Sequence, residues 1–435
     1  MKNKIGIIGF GETGKSVAEF FLARGAEIEI YDDKNLNHPQ QRADFDWKNL
    51  AAVVVSPGVH LLWPHIHPLV EKARKNFVPI INDIDVFQKE TTAKNICVTG
   101  TNGKSTTTAL INFVIARTGH QTQIGGNFGG CPALSLAKNN DCNVLELSSY
   151  QLEACNILGF NIAVLLNITP DHLTRHGGMK GYISAKQKIF ANFKNESRAI
   201  IGIDDEYCVE IFEFLKTINH PHLIPISGVK IPVNGIGWDG DFLIDNRAEK
   251  PKKICRANPS LDGPHNRQNI AASYAACATY GIDENDFAKF LFNFQGLEHR
   301  QELIKIIDGV QYINDSKATN ADSAEQALRR FDDIIWILGG RPKENGIESL
   351  CKYFHKIKYA FLIGEAAADW SLFLQKNNVP NEIVKTLDIA VKKSHQSAKT
   401  IDAKTVLLSP ACASFDQFKS YEERGKKFKS LVEAL

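Results

Sequence analysis

Gly100, Gly103, Lys104 and Ser105 stand in the run VTGTNGKSTTT, between a β-rich segment and one with helical spacing. A glycine turn at a helix start presents backbone N–H groups to an anion, here from Gly100, Thr101, Asn102 and Gly103. A lysine fixed among them offsets the charge of β- and γ-phosphates, and the Ser105 or Thr106 hydroxyl reaches a divalent cation held there. The loop is short, however. In the pattern G-x-x-x-x-G-K-[ST] the first glycine would fall at Val98. A helix cap explains Ser105 alone, but not a lysine set between two glycines and a serine.

Other residues have matching chemistry. Glu146 ends the apolar run NVLEL, where a buried strand opens toward a crevice, and a carboxylate there suits Mg²⁺. His172, in TPDHLTRH, lies just past another such run; a loop histidine by itself is more often structural. Near the start, GFGETG places Gly9, Gly11 and Gly14 between a strand and a helix, and Asp32 ends the next strand. That is a G-x-G-x-x-G fingerprint in context. Its glycines let backbone approach a pyrophosphate, so NAD(P) and another nucleotide diphosphate, such as a UDP-sugar, both remain open. The histidines His65 and His67 of WPHIHPLV have surface-loop flanks and do not read as metal ligands, while Trp63 and Leu69 are expected to pack.

The elements that must position these residues alternate regularly. KIGIIGF, EIEIYDD and AAVVVSPG read as strands, with SVAEFFLARG helical between the first two. NICVTG starts a second unit, followed by a helix from about Thr106 to Thr118, then NVLELSS, IAVLLNIT and RAIIGID. After GLEHRQE a third set follows: QYINDS, IIWILGG, YAFLIGE and TVLLSPA. The β–α–β order implies parallel sheets. The fold class expected is α/β, with three consecutive αβ domains: a Rossmann-like first, a P-loop-type ATPase centre and a Rossmann-like third. Their boundaries fall near Asp83 and Gly296, giving 1–83, 84–296 and 297–435. KIPVNGIGWDGDFLIDNR has hairpin character and reads as a β excursion in the middle block.

Composition bounds the function classes. A chain of 435 residues exceeds the roughly 100–200 residues of one domain. A formal net charge of +2 leaves no electrostatic footprint for nucleic acid or an anionic membrane surface. No run reaches the roughly 18 apolar residues needed to span a bilayer, and the apolar start is interrupted too early for a signal peptide. Nine scattered cysteines without a C-x-x-C pair suggest reduced thiols and a cytoplasmic protein. Cys97, Cys142 and Cys412 lie in apolar runs and are expected to pack as small hydrophobes.

The shortened loop GTNGKST resembles the ATP loop of the Mur ligases and folylpolyglutamate synthases. LELSSYQL, NITPDHLTRH, GPHNRQN, GLEHRQE, NDSKATN and LLSPACASFDQF also resemble that family, in the family's order and across nearly the whole chain. The resemblance implies an ATP-dependent amide ligase of peptidoglycan precursor synthesis, activating a carboxylate as an acyl phosphate and releasing ADP and phosphate. UDP-N-acetylmuramoyl-L-alanine is then the donor and D-glutamate the acceptor; the enzyme is expected to act as a monomer.

The family's site residues carry over position by position. Lys104, His172, Lys186, His299 and Lys317 become catalytic. Ser105 and Glu146 on one Mg²⁺, and His172 with a carbamylated Lys186 on a second, become metal ligands, with Asp171 a polar neighbour. Asn266 and Asn269 of GPHNRQN, at the start of a helix, and Arg300 and Asp315 complete the ATP site. Lys343, Ser414, Phe415 and Tyr421 match acceptor positions, and Thr319 is a further substrate contact. Asn127 resembles the residue near the muramoyl-alanine end of the donor. Gly11, Glu12, Thr13, Asp32, Asp33, Lys34 and Ser56 are candidates for its uridine end. Helical spacing alone leaves Lys186 and Lys188 solvated.

Two other classes remain. An NAD-linked oxidoreductase uses the first glycine loop but leaves the second loop and the third block without work. A non-catalytic nucleotide-binding module does not explain Lys104, Glu146, His172 and Lys317 standing together. Another amino-acid ligase of the same family is the nearest alternative, because the acceptor rests on resemblance.

Overall fold

The computed structural model describes residues 4–34, 38–62, 65–136, 139–156, 159–218, 220, 222–258, 261, 263–342 and 346–435. Lys343 and Trp63 therefore lie outside the described residues. The chain divides into two compact units, Met1–Phe294 and Gln295–Leu435. The first unit carries two sheets and the second carries one, giving three successive αβ domains.

The first sheet is built from β1 (Lys4–Ile8), β2 (Glu27–Tyr31), β3 (Leu50–Val55) and the short β4 (Ile80–Ile81), in the order β2-β1-β3-β4. Its pairings are parallel, with Ile8 opposite both Tyr31 and Val55. That register brings the Gly9 loop, Asp32 and Ser56 to one edge, at the point where strand order reverses. The helix Glu12–Leu22 starts straight from the glycine loop.

The second sheet has nine strands: β5 (Lys94–Thr99), β6 (Thr122–Gly126), β7 (Cys142–Glu146), β8 (Ile162–Leu165), β9 (Arg198–Gly202), β10 (Leu223–Ile226), β11 (Ile236–Asp239), β12 (Phe242–Asp245) and β13 (Lys252–Arg256). Their order is β13-β12-β11-β10-β9-β8-β5-β7-β6. The strands from β6 to β11 are parallel, and β11, β12 and β13 turn antiparallel, which is the expected β excursion. Val98 pairs with Glu146, Gly126 with Glu146, and Thr99 with Leu165. The loops after β5, β6, β7 and β8 thus open at one end.

The helix Lys104–Arg117 buries Leu110, Ile111, Val114 and Ile115 completely. It packs on the helix Pro264–Tyr280, whose Ala271, Ala272, Ala275 and Ala276 are also fully buried and allow close approach. Each such aliphatic side chain contributes roughly 1.5–3 kcal/mol of burial free energy, so the phosphate loop stands on a firm platform.

The second unit holds β14 (Glu302–Ile307), β15 (Val310–Asn314), β16 (Ile334–Gly339), β17 (Ile357–Ile363), β18 (Asn381–Lys385) and β19 (Thr405–Leu408), ordered β14-β15-β19-β16-β17-β18. Only the β14–β15 pairing is antiparallel. Leu408 stands opposite both Asn314 and Ile337, so Asp315, Gly340 and Ser409 emerge together. The core includes Trp336, Leu338 and Leu407, all fully buried.

All nine cysteines are free thiols, and Cys97, Cys142 and Cys412 are fully buried. No helix among the described residues is long and apolar enough to cross a membrane. The default of a solvated Lys186 and Lys188 is overturned. Lys186 is 1% exposed, and Lys188 Nζ donates to the Glu153 carbonyl at 2.6 Å. The short helix Met179–Gln187 buries Tyr182, Ala185 and Lys186 on one side, and Lys188 follows as its C-cap.

Candidate active site

Thr99 ends β5 and the chain turns at Gly100 and Gly103, which have φ of +157° and +82°. At Gly103 an added Cβ would meet Asn269 Oδ1 at 2.2 Å, so only glycine fits this turn beneath the Pro264–Tyr280 helix. Asn269 Oδ1 is itself buried without a hydrogen-bond partner, while its Nδ2 donates to Asn266 Oδ1 at 3.1 Å. A buried acceptor without a partner beside a glycine turn could take an N–H donor from a bound group.

The loop is pinned from beneath. Asn167, which sequence reasoning missed, accepts from Asn102 N at 2.9 Å and donates to Asn102 O at 3.3 Å and to Gln268 Oε1 at 3.0 Å. Thr101 Oγ1 lies 3.0 Å from the Tyr182 hydroxyl. Lys104 Nζ folds back on the loop, donating to Gly100 O at 2.9 Å and Thr101 O at 2.8 Å. Lys186 Nζ donates to the same Gly100 oxygen at 2.7 Å. Two ammonium groups therefore converge on one carbonyl. Burial, then the Lys104 charge, holds the Lys186 pKa well below the usual lysine range.

Opposite them, Ser105 Oγ donates to Glu146 Oε2 at 2.6 Å, and Asn127 Nδ2 donates to Glu146 Oε1 at 2.9 Å. Glu146 is 3% exposed. A hydroxyl and a carboxylate at this separation are hard oxygen donors suited to Mg²⁺. His172 sits at φ +52°, its Nδ1 3.2 Å from the Tyr150 hydroxyl and its Nε2 3.3 Å from Asp171. Burial lowers its pKa, which favours the neutral imidazole a metal needs. Among the described residues no three acidic, histidine or cysteine side chains already form a metal cluster. Thr106 is buried at the start of the helix.

The first glycine loop edges a cavity of about 630 Å³. Gly11, Glu12, Thr13, Asp32, Asp33, Lys34 and Ser56 all line it. Asp32 Oδ2 accepts from Phe10 N at 2.7 Å, and Ser56 Oγ donates to Gly9 O at 2.7 Å, so both carboxylate and hydroxyl brace the turn. His60, His65 and His67 also line it. His67 accepts from Leu69 N at 3.2 Å and thereby caps the next helix, while Leu69 packs as expected. His60 follows the Ser56 turn, and no local pattern marks it as a lining residue.

In the second unit, His299, Asp315, Lys317 and Tyr421 come together. Lys317 N donates to His299 O at 3.0 Å, and its ammonium lies 3.9 Å from the Tyr421 ring centroid. His299 is 2% exposed, its Nδ1 is 2.9 Å from Asn314 Nδ2, and its Nε2 is buried without a hydrogen-bond partner. Asp315 Oδ2 accepts from Ser409 Oγ at 2.7 Å, and burial pushes its carboxyl up to about 7. Arg300 lies in the loop just ahead of β14, and Thr319 N donates to Lys317 O at 2.8 Å. The Arg341 and Ala413 backbones pair, bringing the GGR loop to the ACAS loop. Ser414 is buried there, whereas Phe415 is 64% exposed and lies ahead of the Tyr421–Glu433 helix.

Fold and site together define a three-domain αβ nucleotide-binding protein with a phosphate loop in its central sheet. Family models for the Mur ligase middle domain and for the Mur ligase glutamate ligase domain match residues 98–277 and 299–412. The chain belongs to the Mur ligase family. It is 42% identical to a UDP-N-acetylmuramoylalanine–D-glutamate ligase of Rhodospirillum rubrum, over 99% of this chain and 94% of the relative. It is 41% identical to the protein of that name from Rickettsia felis, over 99% and 97%. Among solved structures it resembles a UDP-N-acetylmuramate-alanine ligase from Thermotoga maritima, with a TM-score of 0.61 at 17% identity over 99% of both chains. It also resembles MurF from Acinetobacter baumannii, with a TM-score of 0.59 at 19% identity over 89% and 86%.

Proposed function

We propose that the protein is an ATP-dependent ligase of peptidoglycan precursor synthesis that joins D-glutamate to UDP-N-acetylmuramoyl-L-alanine. The observation that carries this is the convergence of Lys104 and Lys186 on Gly100, opposite the Ser105–Glu146 pair. In such a site Lys104 offsets phosphate charge, while the Ser105–Glu146 pair offers metal oxygens. The full-length likeness to D-glutamate ligases supports the choice of substrates.

ATP supplies the γ-phosphoryl group that turns the donor carboxylate into an acyl phosphate, from which the acceptor amine displaces phosphate. Lys104 steadies the transferring charge. Ser105 and Glu146 would hold one Mg²⁺. His172 and a carbamylated Lys186 would hold a second, because a carbamate reverses the charge of a buried ammonium and provides the oxygen that a hard cation prefers. Asn266, Asn269, Arg300 and Asp315 bind the nucleotide. Asn127 meets the muramoyl-alanine end, and the cavity at Gly11, Thr13, Asp32, Asp33, Lys34 and Ser56 takes the uridine diphosphate. Lys317 faces the developing negative charge with His299 beside it, Thr319 contacts substrate, and Lys343, Ser414, Phe415 and Tyr421 serve the acceptor.

In this reading, residues 1–83 bind the UDP-sugar, 84–296 bind ATP and 297–435 bind the amino acid. The enzyme works as a cytoplasmic monomer. Phosphate release, with product identified by mass, should require ATP, donor and D-glutamate together. Equal turnover with L-glutamate, L-alanine or a diamino acid would reject the acceptor assignment.

A further inference from the structure

One buried side chain ties the first cavity to the nucleotide site. Arg175, in the one-turn helix Leu173–His176 that His172 caps, donates through Nη2 to Val59 O at 2.6 Å and to Glu153 Oε2 at 2.9 Å. Its Nη1 donates to Gly58 O at 3.3 Å. Pro57, Gly58 and Val59 line the cavity. The Arg175 and Glu153 side chains are only 6% and 7% exposed. The guanidinium also lies 4.8 Å from the Tyr150 ring centroid, and the Tyr150 hydroxyl is 3.2 Å from His172 Nδ1.

Glu153 is held in turn. Its Oε1 is 3.0 Å from His176 Nδ1, and His176 Nε2 is 3.0 Å from Ser149 Oγ. A cation at this depth is a poor device for stability alone, since apolar side chains of similar volume serve a buried site about as well. What a guanidinium adds is a rigid planar fork that sets direction. Here the fork spans a carboxylate on one element and consecutive carbonyls on another. Arg175 Nε is buried without a hydrogen-bond partner, so the residue gives up one bond to keep that orientation.

We infer that Arg175 is a positioning residue. It fixes the Pro57–Val59 rim of the cavity to the turn that carries His172, and so sets where the far end of the donor lies relative to the phosphate loop. This rests on assigning that cavity to the donor. A displacement near 1 Å at such a rim is enough to cost one to two orders of magnitude in productive binding, about ten- to a hundredfold.

The test compares full-length wild type, Arg175→Lys and Arg175→Gln. It measures the KM for UDP-N-acetylmuramoyl-L-alanine, the Kd of UDP, the Kd of ADP and the Tm of each. The donor KM and UDP Kd should rise about tenfold or more in both variants, with ADP affinity within about twofold of wild type. Lysine should retain more of the Tm than glutamine without recovering the KM. A lowered Tm with unchanged donor KM and UDP Kd overturns the inference, as does equal weakening of UDP and ADP. If glutamine does not fold, lysine decides. A wild type that binds UDP but turns over no donor rejects the substrate assignment, while the UDP and ADP arms still read the role of Arg175.

Discussion

Lys186 and Lys104 share one acceptor: their ammonium nitrogens lie 2.7 Å and 2.9 Å from the carbonyl oxygen of Gly100. Two like charges so close disfavour the charged form of one of them, and burial places that cost on Lys186. Lys186→Ala should therefore lose most ligase activity, and a small carboxylic acid such as acetate should partly restore it by standing in for a carbamate. Full activity of that variant in CO₂-depleted buffer, with no acetate effect, would leave Lys186 a packing residue. Lys188→Ala should keep near-normal turnover and lose about 1 kcal/mol of stability, the typical worth of its bond to the Glu153 carbonyl.

Lys104 is expected to behave differently. It is half-buried and donates to two carbonyls of its own loop. Lys104→Ala should fold with a Tm close to wild type and lose at least about a hundredfold in kcat. A variant that turns over normally removes Lys104 from the chemistry.

Gly103→Ala should damage nucleotide binding rather than donor binding. The added methyl meets Asn269 Oδ1 at 2.2 Å at a φ of +82°. Titration should show ADP affinity reduced by an order of magnitude or more, about tenfold, with UDP affinity unchanged. Unaltered ADP binding contradicts the role given to this turn.

Asp315 makes a pH prediction. Burial pushes its carboxyl up to about 7 in the fold, against an ordinary 3.8. Between those values the folded chain keeps a proton that the unfolded chain has released. The contribution of Asp315 is thus present at low pH and lost as pH rises toward 7. Asp315→Asn cannot lose it. The Tm of wild type minus that of the variant should fall between pH 4.5 and pH 8, where a flat or rising difference contradicts the assignment.

The first glycine loop should take UDP rather than NAD. An added Cβ at Gly14 would lie 2.1 Å from Gly9 O, so its glycines secure a tight turn and a close backbone approach, with nothing specific to nicotinamide. Competition on the full-length protein decides it: NAD should not displace UDP at tenfold excess.

The parts legible in the sequence were those with a local signature. The two glycine loops, the strands that feed them and the β11–β12 hairpin follow from apolar runs ending in glycine or polar turns. Lys186 was legible only through family likeness, because a lysine two positions from another in a segment of helical spacing reads as solvated. Asn167, Gln268 and Tyr182 were not legible at all. Each acts through a partner far away in the chain, as Gln268 does with Asn167 at 3.0 Å, and no local period encodes such a pair. The edge strands β6 and β13 were missed for the opposite reason: TQIGG and KKICR are too polar or too glycine-rich to stand out.

The position of β5 in its sheet also orders events during synthesis. β5 is paired on both sides by strands made later, β7 and β8. The turn it feeds is braced by Asn167 and roofed by Asn269. A nascent chain that has emerged as far as residue 160 holds the whole GTNGKST motif yet has neither brace nor roof. Nucleotide therefore has nothing to stabilise until the Pro264–Tyr280 helix is out and packed. The cell's ATP would act as a ligand for the finished central domain and not as a template for its early folding, and the long-range strand pairing that precedes it would set the pace.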